Sequence, residues 1–242
     1  MPEHFTGVTK PILTSAEALQ DIPDGASVLV GGFGGAGSPV ELIHALIDQG
    51  ARELTVINNN AGNGDVGLAA LIRERRVRKM VCSFPRSSDP KAFQDLYRQG
   101  EIELELVPQG TLAERIRAGG AGIPAFYTQT AAGTDLAEGK ETRRFDGRDY
   151  VMEHWLRADF ALIKAECADS AGNLTYNKSA RNFGPIMCTA AKTTIVQVRR
   201  IVQAGEIDPE HVVTPGIFVS RLVEIADPVQ EEDLFASGAF YP

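Results

Sequence analysis

At 242 residues, with 24 Lys and Arg against 32 Asp and Glu, the chain carries a formal charge of −8; its 43% hydrophobic and 23% charged content is that of an ordinary globular protein. Such a length buries a core without disulfide or metal staples, and the acidic balance argues against a general nucleic-acid or membrane-surface binder, which would show a broad basic field. The 24 glycines exceed the usual share of about 7% and require many sharp turns or close backbone approaches.

The opening MPEHFTGVTK holds no apolar stretch, so no signal peptide is expected. Ser27–Val30 predicts a buried strand, followed by GGFGGAGS. Pro39–Ile47 then predicts a helix, with apolar residues at helical spacing and Pro in the first turn, where its missing N–H costs nothing. Strand Leu54–Ile57, helix Val66–Glu74, strand Val77–Cys82, helix Asp89–Arg98, strand Ile102–Val107 and helix Leu112–Ala118 complete four β-then-α units. That alternation predicts an α/β fold built on an open, mostly parallel sheet with helices on both faces.

Gly119–Thr134 reads as a small-residue loop, Arg148–Glu153 and Asp159–Cys167 as strands, and Asp169–Gly172 as a turn. Asn173–Tyr176 reads as a short return strand, Pro185–Ala191 as a helix, Thr194–Val198 as a strand and Val212–Pro215 as extended. These elements predict a mixed-sheet second half within one α/β domain over residues 1–242. Its last segment, 227–242, acidic and then apolar, is expected to be a flexible or docking tail.

The glycine-rich uncharged runs Gly25–Val40 and Gly119–Thr134 have 16 residues each, short of the roughly 18–20 apolar residues of a membrane span. Cys82, Cys167 and Cys188 follow no CxxC spacing, which fits a reducing compartment and a cytoplasmic location. His4, His44, His154 and His211 share no ligand spacing, so no metal site is expected.

In parallel sheets ligands bind beyond the carboxyl ends of the strands. Gly34–Gly37, Asn58–Asn60, Ser83–Arg86 and Pro108–Gln109 all follow predicted strands there. Gly32–Gly37 satisfies GxGxxG, but a dinucleotide site also needs an acid about 20 residues on, at the end of the second strand. That place holds Asn58-Asn59-Asn60, which leaves an NAD-binding oxidoreductase as the minor alternative. Asparagines there serve turns or donate hydrogen bonds to a developing oxyanion without adding charge, as acyl transfer requires.

The basic run Arg73–Lys79 is a solvated helix end or a phosphate-facing wall of the kind a sugar-phosphate isomerase-like domain would use. Cys82 at a strand end is a nucleophile or a plain buried side chain. Ser83, Ser87 and Ser88 lack a GxSxG elbow. Lys178–Phe183 is a polar loop that holds a carboxylate or meets a partner.

Asp24-Gly25, Val28-Leu29-Val30, Gly31-Gly32-Phe33, Gly37 and Pro39 together resemble the signature of the family I CoA-transferases, in their large (A) subunit. Asn59–Gly62, Pro108–Arg117, Gly122–Tyr127, Asp159–Leu162 and Ser179–Phe183 resemble further motifs of that family in family order. The resemblance implies a ping-pong transfer of CoA from succinyl-CoA to a 3-oxo acid through a glutamyl-CoA thioester. It implies that the nucleophilic glutamate lies on a small (B) subunit, in a Glu-Asn-Gly setting that this chain lacks; Glu138, Glu153 and Glu166 have other neighbours. It further implies Asn59 as the oxyanion-hole residue, Gln109 beside the bound acid, and Gly32, Phe33 and Gly34 beside the thioester and pantetheine. No cofactor is implied, the CoA thioester being a substrate. Asn60–Gly64, Gly67–Leu71 and Val77–Arg86 are most similar to members that act on 3-oxoadipate, with acetoacetate the alternative acceptor. Arg86 is then expected to pair with the second carboxylate of the acid.

Overall fold

Each apolar run of the first half becomes one strand or helix of a three-layer α/β sandwich in the computed structural model, which describes residues 9–241. His4 and most of the segment read as lacking a signal peptide lie outside the described residues, as does Pro242. Helix α1 (Ser15–Leu19) opens on a capping box, in which Thr14 Oγ1 accepts from Glu17 N and the Glu17 carboxylate accepts from Thr14 N. Then follow β1 (Ser27–Val30), α2 (Val40–Gln49), β2 (Leu54–Ile57), α3 (Gly67–Arg73), β3 (Val77–Cys82), α4 (Lys91–Arg98), β4 (Glu103–Leu106) and α5 (Gln109–Ala121). The second half adds β5 (Ala125–Thr128), β6 (Thr142–Phe145), β7 (Arg148–His154), β8 (Ala158–Asp169) and β9 (Leu174–Thr175). The last elements are α6 (Gly184–Ala190), β10 (Ala191–Val202), β11 (Arg221–Glu224) and α7 (Glu231–Ala236).

The central sheet runs β11-β10-β8-β1-β2-β3-β4, with every neighbouring pair in that path parallel. The antiparallel character of the second half resides in β9, paired to β8, and in a separate three-stranded sheet, β5-β7-β6. Alternate residues feed opposite faces, as the pleat requires. Val28, Val30, Val56 and Met80 join Leu42, Leu46 and Leu71 in one core, while Leu29, Ile57 and Val81 join Leu112, Ile116 and Met187 in the other. With both faces covered, nine of the twelve residues of β8 are buried, as in the interior strands of parallel sheets.

Part of the predicted Gly119–Thr134 loop is ordered structure instead: residues 119–121 finish α5, and Ala125–Thr128 is β5. The two glycines are tolerated in the helix because their backbone meets its neighbours closely. A Cβ on Gly119 would stand 2.3 Å from Leu156 O, and one on Gly120 would stand 1.9 Å from Thr189 Oγ1 of α6. At the amino ends of the strands, Asp159 of β8 accepts from Ser27 Oγ of β1 at 2.6 Å and pairs with Lys192 of β10 at 2.7 Å. The Lys192 ammonium, and then Ser27, hold this carboxyl down to about 2, so Asp159 of the DFAL motif is a brace between three strands.

The basic run lies at the same amino-terminal end, around the start of β3, away from the strand ends that form the site. Arg73 pairs with Asp65, Arg75 with Glu101, Arg78 with Glu103 and Lys79 with Glu105. Arg76 donates to Gly50 O at 2.9 Å. These pairings leave the run a neutralised surface, not a phosphate wall. Among the described residues no helix is long and apolar enough to cross a membrane.

Candidate active site

Beyond the carboxyl ends of β1 to β4 lies a cavity of about 600 Å³. Phe33, Gly34 and Gly35 come from the loop after β1, Asn59, Asn60 and Asn63 from that after β2, and Ser83, Phe84, Ser87 and Ser88 from that after β3. Gln109 comes from the start of α5, and Glu231, Glu232 and Phe235 from α7.

The asparagine triplet divides into three different jobs. Asn58 Nδ2 donates to Val30 O at 2.7 Å, tying the end of β2 to the end of β1, and its Oδ1 accepts from Asn60 N at 2.8 Å. Asn60 Oδ1 accepts from Gly62 N at 2.8 Å, an Asx turn that bends the chain onto α3. Gly62, at φ +79°, has no room for a side chain there, since a Cβ would stand 2.3 Å from Ala69 N. Asn59 and Asn60 both line the cavity, and Asn59 is the one whose amide oxygen is held from two other elements. Its Oδ1 accepts from Ser83 Oγ at 2.7 Å and from Gln109 Nε2 at 2.9 Å. Its Nδ2 donates to no other described residue, so a neutral N–H pair is presented to the cavity although the residue is only 4% exposed.

The glycine loop is held from behind. Phe33 N donates to Ala36 O at 3.0 Å, closing the turn, and Asn182 Nδ2 donates to Ala36 O at 2.9 Å. The Lys178–Phe183 loop therefore braces the glycine loop. Of the expected site residues, Asn59, Gln109, Phe33 and Gly34 line one cavity. Gly32 lies beneath it, against the backbone of Ser38. Arg86 is exposed on the loop after β3 and is not part of the lining, although Ser83, Ser87 and Ser88 around it are.

Cys82 is fully buried, and burial pushes its thiol up to about 12, which removes it as a nucleophile. Glu153 is buried against Lys140, Glu166 lies near Arg199, and Glu138 follows a short 3₁₀ turn; none reaches the cavity. The strand end carries no acid for a ribose, as the sequence indicated.

The tail was expected to be flexible or docking, with no residue of it placed in the site. The segment 227–241 is ordered on the chain's own surface: Val229 N donates to Glu41, Arg73 donates to Tyr241 O, and the ring of Tyr241 stands 4.3 Å from that of His44. Burial holds His44 below its usual range, and its Nε2 accepts from Gly67 N. Glu231 is buried at 6% exposure; burial pushes its carboxyl up to about 7, opposed by a hydrogen bond with Ser38. No apolar periodicity marks a six-residue acidic helix. Ser83 became visible only through the strand register: β2 and β3 pair Ile57 with Val81, which sets Asn59 beside Ser83 two residues on.

A family model described as coenzyme A transferase matches residues 12–225. The A subunit of the Pseudomonas putida 3-oxoadipate CoA-transferase is 61% identical over 219 residues, covering 90% of this chain and 95% of that one. The A subunit of the succinyl-CoA:3-ketoacid coenzyme A transferase of Xanthomonas campestris pv. campestris (strain B100) is 54% identical over 207 residues, 86% of this chain and 85% of that one. Among solved structures, the acyl-CoA transferase YdiF of Escherichia coli O157:H7 superposes with a TM-score of 0.81 at 25% identity. That match covers 92% of this chain and 48% of the other, so the chain spans about half the length of that one. The tail from residue 227 lies past the end of the family match.

Proposed function

Because the chain belongs to the coenzyme A transferase family, we propose that it is the large (A) subunit of a heteromeric enzyme moving CoA from succinyl-CoA to 3-oxoadipate. The observation that carries this reading is the Asn59 amide, whose N–H pair is aimed into the cavity while Ser83 and Gln109 occupy its oxygen. A thioester carbonyl placed against that amide gains a hydrogen bond that strengthens as its oxygen becomes an oxyanion.

The glutamate that attacks belongs to a partner, the small (B) subunit. Its carboxylate adds to the thioester carbon, the C–S bond breaks, and CoA leaves as thiolate, giving an acyl–glutamyl anhydride. The thiolate then attacks the glutamyl carbonyl, releasing succinate and forming a glutamyl-CoA thioester. The acceptor carboxylate reverses the sequence and departs as its CoA ester, restoring the glutamate. Splitting the exchange in this way replaces one hard step by easier ones, and each tetrahedral intermediate presents an oxygen to Asn59. The half-length match to the solved acyl-CoA transferase supports a second chain. So does the cavity itself: its only acids among the described residues are Glu231 and Glu232 of the tail, and burial raises the carboxyl of the first to about 7.

The acceptor is assigned to 3-oxoadipate on the higher identity to the relative named for it, 61% against 54%. The test is kcat/KM for succinyl-CoA transfer to 3-oxoadipate and to acetoacetate, with this chain and its small (B) partner co-expressed. A preference of tenfold or more for 3-oxoadipate is expected, with no transfer by this chain alone. A preference for acetoacetate overturns the acceptor, and turnover without the partner overturns the placement of the nucleophile.

A further inference from the structure

An asparagine amide has nearly the same shape either way round, yet the two orientations are opposite in function. One presents N–H donors to an oxyanion; the other presents a carbonyl oxygen, which repels it. We infer that Ser83 is a positioning residue for the transfer reaction, its hydroxyl holding the Asn59 amide with the N–H pair toward the cavity. The inference rests on the assignment of Asn59 to the oxyanion hole.

Two donors from separate elements converge on one atom. Ser83 Oγ lies 2.7 Å from Asn59 Oδ1, and Gln109 Nε2 lies 2.9 Å from it. Turning the amide over would set its N–H against the N–H of Gln109, while the Ser83 hydroxyl would lose its 2.7 Å acceptor and be left to accept from the amide and donate to Asn59 O at 3.0 Å. A net hydrogen bond is worth roughly fivefold in an equilibrium, so the Gln109 donor biases the orientation by about that factor, and the Ser83 hydroxyl tethers the amide oxygen within its reach. The two clamps differ in rigidity: Gln109 is a long, exposed side chain, whereas Ser83 is short and half-buried at the end of β3. Ser83 therefore carries most of the preorganisation, which an oxyanion hole requires before charge develops.

The backbone around Asn59 is held by amide bonds as well as by that hydroxyl, which also lies 3.0 Å from Asn59 O. Asn59 O accepts from Ser83 N at 3.2 Å and from Phe84 N at 3.0 Å. Asn58 and Asn60 are anchored on either side by their own bonds to Val30 O and Gly62 N. Removing the Ser83 hydroxyl leaves these in place, so the substitution acts on the orientation of one amide and spares the fold.

The experiment is steady-state kinetics on the complete two-subunit enzyme with Ser83→Ala, Ser83→Thr, Asn59→Ala, the double variant Ser83→Ala/Asn59→Ala, and Gln109→Ala against Gln109→Glu. Ser83→Ala is expected to lower kcat roughly five- to tenfold with KM within about twofold and an unchanged melting temperature. Ser83→Thr, which keeps the hydroxyl, is expected to restore kcat, and Ser83→Ala should cost nothing further once Asn59 is alanine. Gln109→Glu should be slower than Gln109→Ala, because a carboxylate there draws the Asn59 N–H away from the cavity. Wild-type kcat in Ser83→Ala, beside a large loss in Asn59→Ala, overturns the positioning role and leaves Asn59 standing. So does an equal factor lost from Ser83→Ala in both backgrounds. Full turnover in Asn59→Ala overturns the oxyanion assignment itself and the clamp with it.

Discussion

The wall formed by Asn59, Ser83 and Gln109 and the wall formed by Glu231, Glu232 and Phe235 face the same cavity, yet they are held there differently. The first is built at the ends of adjacent parallel strands, from neutral groups whose hydrogen bonds interlock within 3 Å. The second is a short helix laid across the rim by a tail that lies past the family match. It contributes a carboxyl whose protonated form burial favours. A site that stabilises a transient negative charge needs the first kind of wall, whose dipoles are fixed in advance. The second kind adds negative charge whenever it ionises, and its hold is correspondingly sensitive to solution conditions.

The sharpest way to break this comparison is to remove the donor from the fixed wall. Asn59→Ala is expected to lower kcat roughly 10²-fold, the usual loss for one oxyanion-hole donor. The melting temperature should stay nearly constant, because Asn58 and Asn60 carry the backbone. A variant that melts early and turns over normally would make Asn59 structural and erase the distinction between the walls.

The tail wall should instead answer to pH. The carboxyl of Glu231, ordinarily near 4.5, rises to about 7 on burial, with Ser38, Glu232 and Lys164 as the groups around it. A raised value means that docking is favoured most when the group is protonated, fully so below its ordinary value, and that this advantage fades as pH climbs through 7. Between pH 5 and 8 the docking equilibrium of 227–241 should weaken by roughly 10- to 100-fold, read as faster hydrogen exchange or proteolytic nicking of that segment. Glu231→Gln should flatten the dependence while leaving exchange around Asn59 unaltered. A wild-type tail that exchanges alike at both pH values would remove the buried acid as its control.

What was legible in the sequence follows the same division. The β-then-α units of residues 27–118 were readable because buried strands and amphipathic helices write their burial into period 2 and period 3.6. Asn59 and Gln109 were legible as strand-end residues and through the family motifs around them. Ser83 was not assigned a role, because a pairing across strands depends on register, which no local pattern states. The small antiparallel sheet was half-missed for a different reason. Every residue of β6 is exposed and every residue of β5 is half-buried, so neither shows the alternation that marks a strand packed on a core. Glu231 was invisible because an acid in an acidic segment reads as solvated surface, and only tertiary burial makes it otherwise.

The smallest expected effect concerns Arg86, and it tests whether the contrast in charge between the walls bears on substrate choice. An acceptor with two carboxylates places one at the reacting centre and must put the other somewhere. The tail wall is the wrong place for it, since Glu232 lies over the glycine loop, against Gly35, and like charges oppose. The lip after β3 is the favourable side: Ser87 and Ser88 line the cavity there, and Arg86 precedes them on the exposed surface. An ion pair at so exposed a position is worth at most about 1 kcal/mol. Arg86→Ala should therefore lower kcat/KM for 3-oxoadipate by roughly two- to fivefold and leave acetoacetate, which has no second carboxylate, unaffected. The effect should shrink with added salt, as exposed pairs do. If both acids are turned over by the variant as by the wild type, the second carboxylate is read by the partner chain, and the lip after β3 contributes only its serines.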